Sequence, residues 1–156
     1  MKQIKTMLTA VVMLLATTAF ATDGSKVTAR VQAAFQNDFS KAILVNWKTD
    51  GDFAFASFQL NGAFIEAAYN NEGDLLGTSR KVDIEQLPMA VSLELSKRYG
   101  DYAIDANAVE LNFDGQTVYY VNVQNNLQSL KLKCFSNGEL SVEKKEVKKQ
   151  QLKIKS

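Results

Sequence analysis

Apolar residues recur at helical spacing in two stretches of the chain. In the first, Val27, Val31 and Phe35 fall on one stripe of a helix. Ser25 or Asp23 is placed to cap the start of that helix. The pattern therefore predicts an amphipathic helix that packs one face against the rest of the chain.

The second helical stretch carries its own start and stop residues. The sequence D-I-E-Q, from Asp83 to Gln86, resembles a capping box, and Pro88 suits a first helical turn. Gly100 is placed to end the helix. The predicted apolar stripe consists of Leu87, Val91, Leu95 and Tyr99.

After each helix, apolar runs are separated by short turn sequences. Asn-Gly and Asp-Gly between apolar runs predict hairpins, because Asn, Asp and Gly tolerate positive φ. Each half of the chain is therefore expected to hold four meandering strands. The predicted turns are Asp50-Gly51, Asn61-Gly62, Asn71-Glu72-Gly73, Asp114-Gly115, Asn125-Asn126 and Asn137-Gly138.

The order of helix and strands occurs twice at a nearly constant spacing. A shift of 64 residues maps Val27 to Val91, and after one inserted residue a shift of 65 maps Gly73 to Gly138. This repetition predicts an α+β fold built by tandem duplication, each half having helical structure packed on a four-stranded antiparallel meander sheet. The expected halves are residues 22–81 and 82–147.

The two ends of the chain differ from the predicted fold. Lys2 and Lys5 precede an apolar run, and A-F-A at residues 19–21 suits a signal peptidase. Residues 1–21 are therefore predicted to be a cleaved secretory signal peptide, which places the protein in the periplasm or outside the cell. A membrane anchor is disfavoured, because the apolar run is shorter than the roughly 20 residues that span a bilayer. Residues 148–156 form a Lys-rich tail, interpreted as a solvated end rather than a site for an acidic surface.

Composition excludes several kinds of chemistry. Without Lys2 and Lys5 the chain has 16 basic and 17 acidic residues. This balance lacks the excess of positive charge that is typical of proteins that bind nucleic acid. The absence of His removes Ser-His-Asp catalysis and most zinc enzymes, and no cofactor or metal is expected. Cys134, the single cysteine, is interpreted as a buried apolar residue; the alternative, a reactive thiol, is the one distinctive candidate for an enzyme. The protein is therefore expected not to be an enzyme.

Four stretches of the chain carry a family resemblance. The meander W-K-T-D-G-D-F-A-F-A-S-F from Trp47, A-Y-N-N-E-G-D-L, L-P-M-A-V-S-L-E-L-S-K-R-Y and V-Y-Y-V-N-V resemble the β-lactamase-inhibitor-like, PepSY-like family of exported bacterial proteins. The resemblance covers residues 27–142 and implies two tandem units, each with helical structure on an antiparallel four-stranded sheet. It supports inhibition or modulation of an exported enzyme as one form of function, without implying that a β-lactamase is the target.

Alternation along the strands of the second half predicts which side chains face the helix. The apolar residues of all four strands face the helix only if the loop at Asp114-Gly115 contains an odd number of residues. A three-residue loop is therefore expected there. In the first half both faces of the strands carry apolar residues, so alternation does not predict which face is buried. The predicted inward row is Val109, Leu111, Tyr119, Val121, Val123, Leu130, Leu132, Cys134, Leu140 and Val142, and the predicted outward row includes Glu110, Asn112, Val118, Tyr120, Asn122, Lys131, Lys133 and Phe135.

The leading hypothesis is a non-catalytic exported domain that binds an exported or envelope protein or peptide through an exposed sheet face. Aromatic residues carry most of the binding energy at such surfaces. The alternative is a small-molecule or envelope-polymer binding protein, with its ligand between the halves or near Phe53, Phe58 or Phe64. Neither hypothesis involves nucleic acid or a membrane span in the mature chain. The predicted partner-binding residues are Tyr120, Phe135, Lys131, Lys133, Phe58 and Phe64.

Overall fold

The structure is a computed structural model that describes residues 27–148. The predicted signal peptide, the two predicted helix caps Asp23 and Ser25, and the tail from residue 149 lie outside this range. Within it there are two α-helices, a short 3-10 turn and nine strands. They are α1 (Ala29–Asp38), β1 (Ile43–Asp50), β2 (Phe53–Leu60), β3 (Ala63–Asn70), β4 (Leu75–Asp83), the 3-10 turn Ile84–Gln86, α2 (Met89–Tyr99), β5 (Ala103–Ile104), β6 (Asn107–Phe113), β7 (Gln116–Gln124), β8 (Gln128–Phe135) and β9 (Leu140–Val147).

The start of α1 is fixed by Thr28. Its hydroxyl oxygen accepts a hydrogen bond of 3.2 Å from the backbone N–H of Val31, which satisfies one of the donors left open at a helix start. The helix therefore begins later than its apolar stripe suggests, and Val27 precedes it. Val27, Val31 and Phe35 are nevertheless all buried, as the stripe predicted.

The capping box before α2 is present but opens a different element. The backbone N–H of Asp83 donates to the Gln86 side chain over 3.1 Å, and the turn that follows is the 3-10 segment Ile84–Gln86. The α-helix itself begins after Pro88, whose fixed φ and missing N–H suit a helix start. All four residues of the predicted stripe are buried, although Leu87 precedes α2, and Gly100 follows the helix as predicted.

The hairpin turns at Asn61-Gly62 and Asp114-Gly115 are confirmed. Asn61 and Gly62 have φ of 50° and 83°, and Asp114 and Gly115 have φ of 50° and 71°. Positive φ at both positions is the mark of a two-residue type I′ hairpin loop. The three-residue loop expected at Asp114-Gly115 is therefore wrong.

All nine strands belong to one antiparallel sheet. The order is β1-β2-β3-β4-β6-β7-β8-β9, and β5 pairs with β7. The prediction of a tandem duplication, with a separate four-stranded sheet in each half, is therefore wrong. Gly77 in β4 shows why: a Cβ there would lie 2.6 Å from the carbonyl oxygen of Asn112 in β6, so the missing side chain permits a close backbone approach.

The edge strand β1 is irregular. The pairing of β1 with β2 shifts register between Ile43 and Asn46. Leu44, inside this bulge, has a φ of 55°, which is uncommon for a residue with a branched side chain. The apolar side chains of Ile43 and Leu44 are both exposed.

The described chain divides into two compact units, each with its own core. The first unit runs up to Lys81 and includes Leu111–Gln116. Its core lies under α1 and is rich in aromatic rings: Phe35 contacts Trp47 and Phe58 edge-on, with ring centroids 5.1 and 5.0 Å apart. The Tyr69 hydroxyl donates to the Asp38 carboxylate over 2.8 Å, which satisfies the polar end of a buried ring.

Within the described residues, the second unit comprises Val82–Glu110 and residues 117–148, and its core lies under α2. Most of the predicted inward row is buried there. Val109 and Leu111, both in β6, are exceptions. Ala108 belongs to this core in place of Val109, and Leu111 is buried outside it. The shorter loop explains the difference, since a change of one residue moves every side chain of a strand to the other face. Val142 is also an exception, being exposed.

Within residues 27–148, neither helix has the length and apolar content needed to cross a bilayer.

Candidate binding surface

Four of the predicted binding residues come together in the second unit. Tyr120 pairs with Lys133 across β7 and β8, and the neighbouring pairs are Val118 with Phe135 and Asn122 with Lys131. Cross-strand partners share a face of the sheet. This face is opposite α2, because the alternate β7 residues belong to the core. We call Tyr120, Lys131, Lys133 and Phe135 the lysine–aromatic patch.

Both lysines of the patch lie over aromatic rings. The Lys131 ammonium is 5.1 Å from the centroid of the Tyr120 ring, and the Lys133 ammonium is 5.2 Å from that of Phe135. These distances suit cation–π contact. Burial lowers the pKa of Lys131, and the neighbouring Glu143 opposes this effect. Both ammonium groups therefore lie over a ring face, a position that a cation–π contact favours.

Tyr120 itself is only 4% exposed, so the expectation that it projects into solvent is wrong. Lys131 covers one side of the ring, which alternation along a single strand does not reveal. Burial, aided by the charge of Glu143, raises the pKa of Tyr120 to about 12. The accessible part of the patch therefore consists of Lys131, Lys133 and Phe135, all half-buried, with Tyr120 beneath them.

The two binding residues predicted in the first unit lie on opposite faces of the sheet. Phe58 is buried in the core under α1, where its ring centroid is 4.7 Å from that of Phe39. Phe64 is 69% exposed and pairs with Gln59 on the other face. The structure thus leaves Phe64 available to a partner and removes Phe58 from the surface.

Sequence reasoning missed Glu66 and Ser79. These residues are cross-strand partners on β3 and β4. The Ser57 hydroxyl donates to Glu66 Oε1 over 3.3 Å. Burial raises the pKa of Glu66 despite that hydrogen bond and the nearby charge of Lys48. The feature of the sequence that marks this position is a single carboxylate inside the apolar run A-F-I-E-A-A-Y, and it was not used.

An open cleft lies in the first unit, where the start of β4 meets the β6–β7 turn. Its volume is about 620 Å³. None of Phe53, Phe58 and Phe64 lines it, although the small-molecule hypothesis placed its ligand near them. The lining residues are Leu75, Leu76, Gly77, Thr78, Asn112, Phe113, Asp114 and Gly115.

Cys134 is fully buried in the second core. Burial raises the pKa of its thiol to about 12, so the thiolate needed for nucleophilic chemistry is disfavoured near neutral pH. Residues 27–148 bring together no group of three or more Asp, Glu or Cys side chains suited to a metal ion.

Comparison with known proteins shows the fold. No protein-family model and no curated protein matches the chain. A BLIP-like protein from Bacteroides fragilis is 22% identical, with a TM-score of 0.67 over 79% of this chain and 89% of that one. A DUF2874 family protein from Bacteroides ovatus is 23% identical, with a TM-score of 0.67 over 80% and 89%. A candidate periplasmic protein from Bacteroides eggerthii is 17% identical, with a TM-score of 0.66 over 78% and 88%.

The chain therefore has a BLIP-like fold. This agrees with the β-lactamase-inhibitor-like part of the family resemblance, whereas the PepSY-like part remains a prediction.

Proposed function

We propose that the protein is an exported, non-catalytic binding domain that recognises an exported or envelope protein or peptide through the lysine–aromatic patch. The observation that carries the proposal is the pair of ammonium groups held over the rings of Tyr120 and Phe135 on one sheet face. The ring contacts favour these ammonium positions before a partner arrives, which reduces the side-chain entropy lost on binding.

The patch combines the two kinds of contact that a protein interface needs. Phe135 and the carbon stems of the lysines offer apolar area, and the ammonium groups offer charge that selects among partners. Buried aromatic anchors dominate such interfaces, while charged groups at the edge mainly affect association rate and specificity. Phe135 is therefore the expected anchor.

Other observations support the proposed export of the protein and its proposed class, a non-catalytic binding protein. The sequence of residues 1–21 favours export, and one similar structure belongs to a candidate periplasmic protein. The likeness to a BLIP-like protein favours inhibition or modulation of an envelope enzyme as the form of binding. The lack of His and the burial of Cys134 favour a protein without catalysis of its own.

The test is the affinity of point variants for a partner captured from envelope extract by the wild-type protein and then purified. Phe135→Ala is expected to weaken binding by about 30-fold, the equivalent of about 2 kcal/mol at an interface centre. Tyr120→Phe, which keeps the ring beneath Lys131, is expected to bind nearly as the wild type does.

Lys97→Ala on α2 is the matched control, because the Lys97 side chain is 76% exposed and lies on a helix rather than on the patch. It should change neither affinity nor melting temperature. Unchanged affinity of both Phe135→Ala and Lys133→Ala, with native melting temperatures, would remove the patch from consideration.

The cleft favours a second candidate function, the binding of a small molecule or an envelope polymer. Its volume of about 620 Å³ lies within the range of small-molecule sites. Thermal-shift measurements with soluble envelope glycans test this candidate, and Thr78→Trp should abolish any shift by filling the cleft. If no glycan raises the melting temperature of the wild type, the candidate fails for that class of ligand.

A further inference from the structure

The accessible side chains of the lysine–aromatic patch lie in one line along β8. Lys131, Lys133 and Phe135 are alternate residues of this strand, so all three are on the face of the sheet opposite α2. Successive members of the line are two residues apart, which is about 7 Å along a strand. The line therefore presents two positive charges and one apolar ring at a regular spacing.

Ring contacts favour a defined place for each charge and leave the charge intact. The Lys131 ammonium is 5.1 Å from the centroid of the Tyr120 ring, and the Lys133 ammonium is 5.2 Å from that of Phe135. A ring face attracts a cation without neutralising it, as a carboxylate would. Each ammonium group thus keeps the ability to donate hydrogen bonds to an acceptor on a partner.

The charges of the neighbouring strand β9 do not cancel those of the line. Lys144 is the direct cross-strand partner of Lys131, and like charges placed opposite each other repel. The salt bridge here joins Lys144 to Glu146 over 2.6 Å, and among the described residues no salt bridge engages Lys131 or Lys133. Glu143 offsets part of the charge of Lys131. The line therefore remains positive and favours acidic groups on a partner.

The spacing of the line also selects the conformation of a partner segment. In an extended segment, side chains two residues apart lie on one face at about the same 7 Å spacing. In a helix, side chains two residues apart do not face the same way. An extended segment with two acidic residues at alternate positions, followed at the next alternate position by an apolar residue, therefore complements Lys131, Lys133 and Phe135 in turn.

We propose that the lysine–aromatic patch recognises an extended acidic segment of its partner, in which two alternate carboxylates meet Lys131 and Lys133 and the next alternate, apolar side chain packs on Phe135. This inference rests on the function proposed for the patch and deepens it by naming the chemistry of the partner. Segments rich in Lys or Arg are rejected, because like charges brought together at an interface are unfavourable.

The test is an NMR titration of the 15N-labelled protein with the blocked peptide acetyl-Thr-Glu-Thr-Glu-Thr-Leu-Thr-amide. Saturable shifts are expected at the amides of Lys131, Lys133 and Phe135. The same peptide with Gln in place of both Glu residues should bind about 5-fold more weakly, because it lacks two exposed charge pairs.

A peptide of the same composition separates spacing from charge. It is acetyl-Thr-Thr-Glu-Glu-Thr-Leu-Thr-amide, in which the two carboxylates are adjacent. Adjacent side chains of an extended segment lie on opposite faces, so only one carboxylate can meet the line. This peptide should bind about 3-fold more weakly than the alternating one, although both carry the same net charge.

Lys133→Gln is the decisive variant, since it removes the charge and keeps a long polar side chain. It should bind the alternating Glu peptide about 3-fold more weakly, bind the Gln peptide as the wild type does, and keep a native spectrum. Lys145→Gln is the matched control. Lys145 pairs with Leu130 of the second core and so lies on the other face of the sheet. Its replacement should leave the affinity for every peptide unchanged.

Each of three results would overturn the inference. Equal affinity for the alternating Glu peptide and the Gln peptide would mean that the patch does not select acidic segments. Equal affinity for the alternating and adjacent Glu peptides, or for Lys133→Gln and the wild type, would mean that only unspecific attraction acts. The third result is the absence of saturable shifts at the patch with any peptide. The affinity of Phe135→Ala for the captured partner then decides separately whether the patch binds a protein at all.

Discussion

Glu66 occupies a position at which its charge opposes folding. Burial raises its pKa above the ordinary value of 4.5, so the folded state holds the proton more tightly than the unfolded chain does. The stabilisation from this proton is fully present below the unfolded pKa and is lost as the pH rises through the raised folded pKa. At neutral pH the carboxylate is therefore a source of instability.

Glu66→Gln is expected to gain stability relative to the wild type as the pH rises from about 4 to 7. The reason is that the amide carries no charge whose burial becomes costly over this range. Urea denaturation at a series of pH values measures the difference. Glu72→Gln, in the exposed turn after β3, should give a difference that barely changes with pH. A flat difference for Glu66→Gln as well would mean that its carboxylate is not desolvated.

Neighbouring residues on β8 allow a test of the register. Leu132 is fully buried in the second core, and Lys131 is on the opposite face. Leu132→Ala should lower the free energy of unfolding by about 2–5 kcal/mol, through lost transfer energy and the cavity left behind. Lys131→Ala should cost about 1 kcal/mol or less, the value of its contact with the Tyr120 ring. Equal denaturation midpoints for the two variants would contradict the register.

At the scale of the elements, the junction of β4 with β6 depends on one glycine. A side chain on Gly77 would meet the Asn112 carbonyl oxygen at 2.6 Å and a Phe113 ring carbon at 3.1 Å. A backbone oxygen cannot move aside as the end of a flexible side chain can. Gly77→Ala is therefore expected to cost about 1–3 kcal/mol through local displacement of the strands.

Chemical denaturation measures this cost, with Thr78→Ala as the control on the same strand. Because Thr78 is half-buried, its truncation removes a few atoms without forcing the strands apart. A Gly77→Ala variant as stable as the wild type would show that β4 and β6 tolerate a wider separation.

The sequence predicted the elements that depend on local chemistry. The hairpin at Asn61-Gly62 follows from the positive φ that these residues accept, and the burial of Leu95 follows from helical spacing. The pairing of β4 with β6 depends instead on residues far apart in the chain, such as Gly77 and Asn112. Local repetition favoured two separate sheets because it holds no information about this contact.

The candidate surface was predictable to a similar extent. Alternation placed Lys131, Lys133 and Phe135 together on one face, as found. It did not predict the burial of Tyr120, because burial depends on contacts across strands, such as that of Lys131 with the ring, rather than on alternation along one strand. Glu66 escaped notice because its partial burial follows from packing in three dimensions rather than from the type of residue.

For the whole molecule, one hydrogen-bonded sheet predicts one cooperative unfolding transition. The chain contains two natural probes, the single Trp47 in the first unit and the single Cys134 in the second. Trp47 fluorescence and protection of Cys134 from a thiol reagent should be lost at the same urea concentration. Two separate midpoints would mean that the units unfold independently.

Cys134 should also react far more slowly in native buffer than in denaturant. Its thiol is fully buried, so labelling requires an opening of the second core. The reaction with iodoacetamide at pH 8 measures this rate, with the protein in concentrated urea as the reference. Rapid modification of the folded protein would revive the hypothesis of a reactive thiol.

The irregular outer strand β1 has a consequence for the protein at high concentration. A flat outer strand is a template on which other copies can add through main-chain hydrogen bonds, and such addition leads to amyloid-like fibrils. The bulge between Ile43 and Asn46, with Leu44 at a φ of 55°, interrupts that template where the exposed side chains are most apolar. Straightening β1 by deleting Leu44 is therefore a change expected to promote fibril formation even while both cores remain intact.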